Sequence, residues 1–320
     1  MRGGIRRGRF GAVPRLPVVH NPKYQAVFPP GHRFPMGKFG AVARRLTALG
    51  FAPFHEPAPA PASWIALVHD RAYVDQVFSA DVPARIAREI GFPMTDSVAL
   101  RARTACAGTT LTARLALEHG IACNTAGGSH HARAEQGAGF CVFNDVAVAI
   151  RVLQADGAIG RALVFDCDVH QGDGTAHIFA GDPSVSTVSI HAEANYPVRK
   201  ASSTIDVGLP DGVEDTAYMA VLDETLERAL DLPADIVFYN AGVDPHRDDR
   251  LGRLALSDEG IAARDRRVID AVRARGLPLA GVLGGGYSDD VDALAGRHAL
   301  LHLAAQARLA AEAGYSAPGR

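Results

Sequence analysis

The chain has 320 residues, 48% of them apolar, which is enough to bury the core of one large α/β domain. Its 35 acidic and 33 basic residues leave a formal net charge of −2, so no strong field attracts nucleic acid or acidic lipid. No apolar run reaches the roughly 18 residues of a membrane-spanning helix. We therefore expect neither a nucleic-acid partner nor a membrane partner.

The N-terminus is basic and rich in glycine, with four arginines among its first ten residues. This composition favours a flexible extension over residues 1–14, and a targeting or anion-binding arm is the alternative. We expect one folded domain over residues 15–310 and a short tail over residues 311–320.

Beyond the extension, short β-branched apolar runs alternate with helical patterns. The runs predict buried parallel strands at residues 16–19, 121–124, 162–166, 185–190, 236–240 and 279–283. Apolar residues that recur every three or four positions predict helices at residues 98–118, 145–154, 214–230 and 257–275. This alternation is typical of an α/β fold with a mainly parallel sheet flanked by helices.

The four cysteines lie in or beside apolar runs and form no CxxC pair. They are Cys106, Cys123, Cys141 and Cys167. We expect reduced, buried thiols rather than disulfides, which fits a cytoplasmic location.

Polar residues cluster after four of the predicted strands. The clusters are Gly127 to His131, Asp166 to Gly174, Ala241 to Pro245 and Gly284 to Tyr287. In an open parallel sheet, ligands bind beyond the carboxyl ends of the strands. We therefore expect these four loops to form one pocket.

The second cluster has the spacing of a metal site. Asp166, Asp168 and His170 are two residues apart, so they project to the same side of an extended backbone. With Asp244 as a further ligand, two carboxylates and one imidazole leave a position open for water and substrate, as in catalytic zinc sites. Fe(II) also fits these ligands. The alternative is that the aspartates cap a helix and pair with surface arginines.

The remaining polar residues offer acid–base and oxyanion-binding groups. The adjacent His130 and His131 can deprotonate water and protonate an amine near neutral pH. Asp166 and Asp173 are available to fix the tautomers of these imidazoles. Tyr287 follows three glycines and can donate a hydrogen bond to an oxyanion, although simple packing is the alternative.

Four segments, in this order, resemble the histone deacetylase and acetylpolyamine amidohydrolase family: GGSHHARAEQGAGFCVFND, VFDCDVHQGDGT, YNAGVDPH and GGGY. The resemblance runs from Leu16 to Ala305, and LPVVHNPKY, HRFPMGKF, VHDRAY and TIDVGLPDG resemble the bacterial and class IV branch most. It implies a single-domain, three-layer arginase-deacetylase-like α/β fold with roughly eight strands. The domain over residues 15–310 is then the catalytic one.

The resemblance also implies two kinds of metal site. Asp168, His170 and Asp244 are the implied zinc ligands. A structural potassium ion is implied at Asp166, Asp168, His170, Ser189 and Ile190. A second and weaker potassium site is implied near Phe179 and Val185.

For the catalytic residues, motif position implies one role each. His131 is the general base and then the general acid, and His130 is electrostatic. Asp166 orients His130, and Asp173 orients His131. Tyr287 polarises the substrate carbonyl.

The implied activity is that of a zinc-dependent hydrolase of linear amide C–N bonds. It removes the acyl group of N-acyl-lysine through metal-activated water, as a deacetylase or a long-chain deacylase. Gly139, Phe140 and Gly285 are expected to contact the substrate, an acylated lysine peptide or a small acylated amine, although Phe140 fits the core equally well. The alternatives are an acetylpolyamine or small-metabolite amidohydrolase, a binuclear manganese ureohydrolase and a noncatalytic acyl-lysine binding protein. The sequence indicates no oligomeric state.

Overall fold

A parallel sheet forms the centre of the computed structural model, which describes residues 14–29 and 31–315. The strands in this part of the chain are β1 (Val18–Val19), β2 (Ile121–Asn124), β3 (Ala162–Asp166), β4 (Val185–Ala192), β5 (Ile205–Leu209), β6 (Ile236–Asn240) and β7 (Leu279–Val282). They pair in the order β1-β2-β7-β6-β3-β4-β5, and every pair is parallel. The predicted α/β fold is confirmed, with seven strands in the described sheet where roughly eight were expected.

The helices of the described residues lie between and around these strands. They are α1 (Lys38–Ala48), α2 (Ala62–Ile65), α3 (Arg71–Phe78), α4 (Ala84–Ile90), α5 (Asp96–His119), α6 (Asp145–Ala155), α7 (Asp173–Ile178), α8 (Asp215–Ala229), α9 (Asp258–Ala274) and α10 (Val291–Glu312). The four predicted helices correspond to α5, α6, α8 and α9. Periodicity missed the other six of these helices and the edge strand β5, whose exposed residues interrupt its apolar run.

Polar caps set the ends of several helices near the site. Asn144 accepts a hydrogen bond from the backbone N–H of Ala147 and so begins α6. The hydroxyl of Ser257 accepts a hydrogen bond from the backbone N–H of Gly260 and so begins α9. These side chains satisfy N–H groups that lack a partner in the first turn of a helix.

Helices cover both faces of the sheet, and the apolar residues of each strand alternate between them. In β3, Leu163 and Phe165 pack into one apolar cluster and Ala162 and Val164 into the other. The first cluster includes side chains of α8, α9 and α10, and the second includes side chains of α5 and α6. This is the three-layer arrangement that the resemblance implies.

All four cysteines are buried and free, as predicted. No helix in the described part of the chain has the length and apolarity needed to cross a bilayer. Residues 1–13 of the predicted extension and residues 316–320 of the predicted tail lie outside the described residues.

Candidate active site

Four loops meet at one edge of the sheet. Strands β2, β7, β6 and β3 are consecutive neighbours, so their carboxyl ends lie side by side, and each is followed by a polar cluster. His130, His131, Asp168, Asp244 and Tyr287 come from these four loops and are all buried. The structure thus brings together residues that the sequence separates by more than 150 positions.

Asp168, His170 and Asp244 form a compact group of potential metal ligands. One candidate ligand atom of each lies within 4.8 Å of the other two. Nδ1 of His170 is 3.0 Å from Oδ1 of Asp168 and 3.2 Å from Oδ2 of Asp244. Burial, and then the Asp168 carboxylate, raise the pKa of Asp244 to about 7, and its buried Oδ2 accepts no hydrogen bond. These donors fit a divalent cation, because its charge offsets the repulsion of two buried carboxylates.

Backbone N–H groups hold both carboxylates in place. Oδ1 of Asp244 accepts from the N–H of Val169 at 2.9 Å, and Oδ2 of Asp168 accepts from the N–H of Gly285 at 2.6 Å. A Cβ at Gly285 would lie 2.0 Å from Oδ2 of Asp244. Gly285 therefore packs directly against the candidate metal ligands, and it also lines the adjoining cavity, so its expected contact with substrate stays a prediction.

Each of the paired histidines has a carboxylate behind it. Nδ1 of His130 is 2.7 Å from Asp166 Oδ2, and Nδ1 of His131 is 2.7 Å from Asp173 Oδ1. Arg133 donates to the other oxygen of Asp173 at 2.9 Å. Since a carboxylate accepts from each Nδ1, the proton of a neutral ring sits there and its Nε2 carries the lone pair. The two Nε2 atoms are 3.1 Å apart.

The two histidines differ in the protonation state that their surroundings favour. Burial opposes charging of His130, but Asp166 and Asp168 outweigh this effect and raise its pKa to about 9. Burial, followed by the charge of His130, lowers the pKa of His131 to about 4. The arrangement therefore favours a charged His130 beside a neutral, proton-accepting His131.

Asp145 shapes the loop that carries these histidines. Its carboxylate accepts from the N–H groups of Gly128 at 3.1 Å and Ser129 at 2.7 Å. Gly128 has a φ of +85°, and a Cβ there would lie 2.3 Å from Oδ1 of Asn240. Glycine is needed at this position both for the left-handed backbone and for the close approach of the neighbouring loop.

Tyr287 ends the glycine turn that follows β7. Its N–H donates to Asp249 at 2.6 Å. Behind the turn, the buried Lys38 ammonium donates to the carbonyls of Gly284 at 3.2 Å and Gly286 at 3.4 Å. Burial raises the pKa of Tyr287 well above its usual range, so the phenol stays protonated and can donate.

Two cavities adjoin these residues. An inner cavity of about 30 Å³ is lined by Phe34, Phe39 and Arg101 together with both histidines, Asp168 and Tyr287. An outer mouth of about 230 Å³ is lined by Arg33, Glu89, Tyr196 and Leu251 together with His131, His170 and Tyr287. Gly139 and Phe140 line both cavities, and their contact with substrate stays a prediction. A larger surface hollow of about 620 Å³ beside α1 and α10 contains none of the catalytic candidates.

The structure adds residues that sequence reasoning missed. Asn240 donates to Asp166 at 3.0 Å, and the ring of Tyr196 packs edge-on against His131 with centroids 4.8 Å apart. Arg101 lies buried on the cavity wall, 4.9 Å from the centroid of the Phe39 ring. Asn240 stands in the quoted segment YNAGVDPH, which was a usable signal, whereas nothing in the local sequence marks Tyr196 or Arg101.

The implied potassium sites stay predictions. Asp166 of β3 and Ser189 of β4 are register partners, so two residues of the first implied site lie side by side. Phe179 and Val185, near the weaker implied site, are both buried.

Known proteins resemble the chain in sequence and fold. Residues 32–303 match a family model described as the histone deacetylase domain. An uncharacterized protein of Picosynechococcus sp. is 46% identical over 295 residues, covering 91% of this chain and 98% of that protein. Histone deacetylase 2 of Arabidopsis thaliana is 34% identical over 269 residues, covering 80% of this chain and 70% of that protein. The solved acetylpolyamine aminohydrolase of Burkholderia pseudomallei superposes with a TM-score of 0.72 at 22% identity, covering 90% of this chain and 98% of that chain, a likeness of fold alone.

Proposed function

The chain belongs to the histone deacetylase family of amide-hydrolysing enzymes, and from this premise we propose that it hydrolyses the amide of N-acyl-lysine with one divalent ion, taken as zinc. The observation that carries the proposal is the meeting of three chemical groups around one buried cavity. They are the ligand cluster at Asp168, the carboxylate-backed histidine pair and the phenol of Tyr287. Together these groups supply what hydrolysis of an unactivated amide requires.

Asp168, His170 and Asp244 are the residues that would hold the ion. Zinc is favoured because imidazole and carboxylate ligands are typical of catalytic zinc sites, and Fe²⁺ accepts the same donors. When bound, such an ion supplies Lewis acidity that lowers the pKa of water and polarises a carbonyl.

His131 is the proposed proton carrier. Its Nε2 is the accepting atom, because Asp173 occupies Nδ1. As water adds to the carbonyl carbon, a proton passes from water to His131, and the same proton then passes to the amine nitrogen as the C–N bond breaks. The products are a free amine and a carboxylic acid, which then ionises to the carboxylate. Asp173 stabilises the imidazolium between the two transfers, and the charged His130 contributes to the field around the oxyanion.

Tyr287 is proposed to donate a hydrogen bond to the carbonyl oxygen as negative charge develops on it. The phenol lines the inner cavity with both histidines and Asp168, and the hydrogen bond from Tyr287 N–H to Asp249 anchors its backbone. A donor that is already oriented needs little reorganisation during the reaction, which is why such groups contribute strongly to catalysis.

The charges at the outer mouth favour an acyl-lysine peptide over an acylated polyamine. Glu89 is the acid that lines the mouth, and it is already paired with Arg85 at 2.6 Å and bonded to Gln136. Arg33 adds a positive charge on the same surface. A polycationic amine would be repelled here, whereas one lysine side chain has an uncharged stem that can pass between aromatic rings.

The inner cavity favours a short acyl group. At about 30 Å³ it has room for about two water-sized groups, and the charged Arg101 lies on its wall. A long alkyl chain would need more volume and would desolvate the guanidinium. Among the acyl groups left open by the sequence, we therefore favour acetyl.

The decisive experiment assays the purified, zinc-loaded protein on lysine peptides carrying acetyl or long-chain acyl groups and on an acetylated polyamine. We expect acetyl-lysine to be hydrolysed fastest, one ion bound per chain, and no turnover in Asp168→Ala. Turnover that survives in Asp168→Ala would reject the metal assignment. Two ions per chain would favour the ureohydrolase alternative, and binding of acyl peptide without turnover would favour the noncatalytic one.

A further inference from the structure

Arg264 is a fully buried cation that lies behind the candidate active site. It belongs to α9, and its side chain is 0% exposed. Its Nη1 donates to the carbonyl of Gly242 at 2.6 Å and to that of Cys167 at 3.3 Å. One guanidinium therefore spans two loops, the one that follows β6 and the one that follows β3.

These two loops carry the carboxylates of the ligand cluster. Cys167 directly precedes Asp168, and Gly242 stands two residues before Asp244. The register of β3 and β6 ends at Asp166 and Asn240, so both carbonyls lie just past the paired strands. The loops also touch, since a Cβ at Gly242 would lie 2.6 Å from Oδ2 of Asp168. A change in loop spacing therefore moves the carboxylates relative to each other.

Asp265 balances the charge of this arginine. Its Oδ1 accepts from Arg264 Nε at 3.0 Å, from Arg264 Nη2 at 2.8 Å and from the phenol of Tyr239 at 2.6 Å. A buried ion pair is by itself weak evidence for a stabilising role, because apolar residues of similar size often replace it without loss. What distinguishes Arg264 is that its third nitrogen, Nη1, points at the backbone of both ligand loops.

We propose that Arg264 is a positioning residue for the metal cluster, which sets the spacing of Asp168 and Asp244 through the carbonyls of Cys167 and Gly242. The inference rests on the proposed metal-dependent function and adds a residue that contacts neither ion nor substrate. Groups that orient metal ligands in this way typically change metal affinity by about 10- to 100-fold when they are removed.

The test compares two double variants of α9 ion pairs. Arg264→Met with Asp265→Leu removes the proposed brace and leaves no buried charge without a partner. Arg273→Met with Glu312→Leu is the matched control, because Arg273 also lies on α9, pairs with a carboxylate at 3.0 Å and donates to the carbonyl of Leu277 at 2.8 Å. The readouts are the zinc dissociation constant from chelator competition and the thermal unfolding midpoint of the metal-free protein.

We expect the Arg264 double variant to bind zinc at least about tenfold more weakly than wild type, with a metal-free unfolding midpoint close to that of wild type. The control should keep the wild-type dissociation constant. A folded Arg264 variant with wild-type zinc affinity would overturn the inference while leaving the proposed function intact. A wild-type protein that binds no divalent ion would overturn both.

If the double variant does not fold, Arg264→Lys provides the same test. Lysine keeps the charge opposite Asp265 but lacks the planar fork that reaches the carboxylate and both carbonyls at once. Weaker zinc binding by folded Arg264→Lys supports the positioning role, and unchanged zinc binding overturns it.

Discussion

Replacing Gly285 with alanine tests the geometry of the ligand cluster most directly. The added Cβ would lie 2.0 Å from Oδ2 of Asp244 and 2.7 Å from Oδ2 of Asp168, whereas ordinary contact begins at 3.4 Å. The Asp244 carboxylate and the Gly285 backbone must therefore separate by more than about 1 Å, and a misplacement of this size in an active site can cost about 10²-fold in rate. We expect Gly285→Ala to lose about that factor in kcat/KM and to bind zinc at least about tenfold more weakly.

The assays are hydrolysis of an acetyl-lysine peptide, zinc affinity by chelator competition, and circular dichroism to establish that the variant folds. Gly296→Ala in α10 is the control, because a Cβ there meets nothing within 4 Å. It should keep full activity and gain about 0.5 to 1 kcal/mol of stability from the better helix former. Wild-type zinc affinity and kcat/KM in folded Gly285→Ala would refute the placement of the two carboxylates.

Three further outcomes are expected. Tyr287→Phe should lower kcat by about 10²- to 10³-fold with little change in zinc affinity, since one oxyanion donor is lost; an unchanged kcat would contradict that role. Burial lowers the pKa of His69 to about 4, so its contribution to stability is complete above its unfolded pKa near 6.5 and is lost as pH falls toward 4. Over this pH range the free energy of unfolding, measured with urea, should fall by about 3 kcal/mol more in wild type than in His69→Gln. Asp244→Asn should raise the unfolding midpoint of the chelator-treated protein, because burial and the Asp168 carboxylate raise the pKa of Asp244 and so disfavour its charged form. The same variant should lose the rise in midpoint that zinc causes in wild type, because it lacks a ligand. Thermal scans with and without chelator measure both effects.

The central strands and the candidate ligands were predictable because their signals are local. Apolar runs mark the buried strands β2, β3, β6 and β7, and the polar residues after them stand at the ends where parallel sheets bind ligands. The edge strand β5 has no such run, because part of it is exposed to solvent. Residues whose role depends on partners far away in the sequence could not be predicted from their neighbouring positions. Arg264 is one charged residue in a helix rich in charge, and nothing in its neighbourhood in the sequence marks it.

The amino-acid sequence alone determined the α/β class, the order of the central elements along the chain, and the residue types that can bind a metal and move a proton. It could do so because apolar runs and two-residue spacing are patterns of a few neighbouring positions. The family resemblance implied which aspartate serves each histidine, but only the tertiary structure decided which strands are neighbours and hence the distances between these side chains. Asp244 lies 3.2 Å from His170, and His130 and His131 each lie 2.7 Å from their carboxylate. The tertiary structure also decided the size of the inner cavity and the charges at the mouth, on which the choice of substrate rests. The physical reason is that burial and the approach of distant charges set pKa values, metal affinity and available volume, and these depend on the packing of the whole chain.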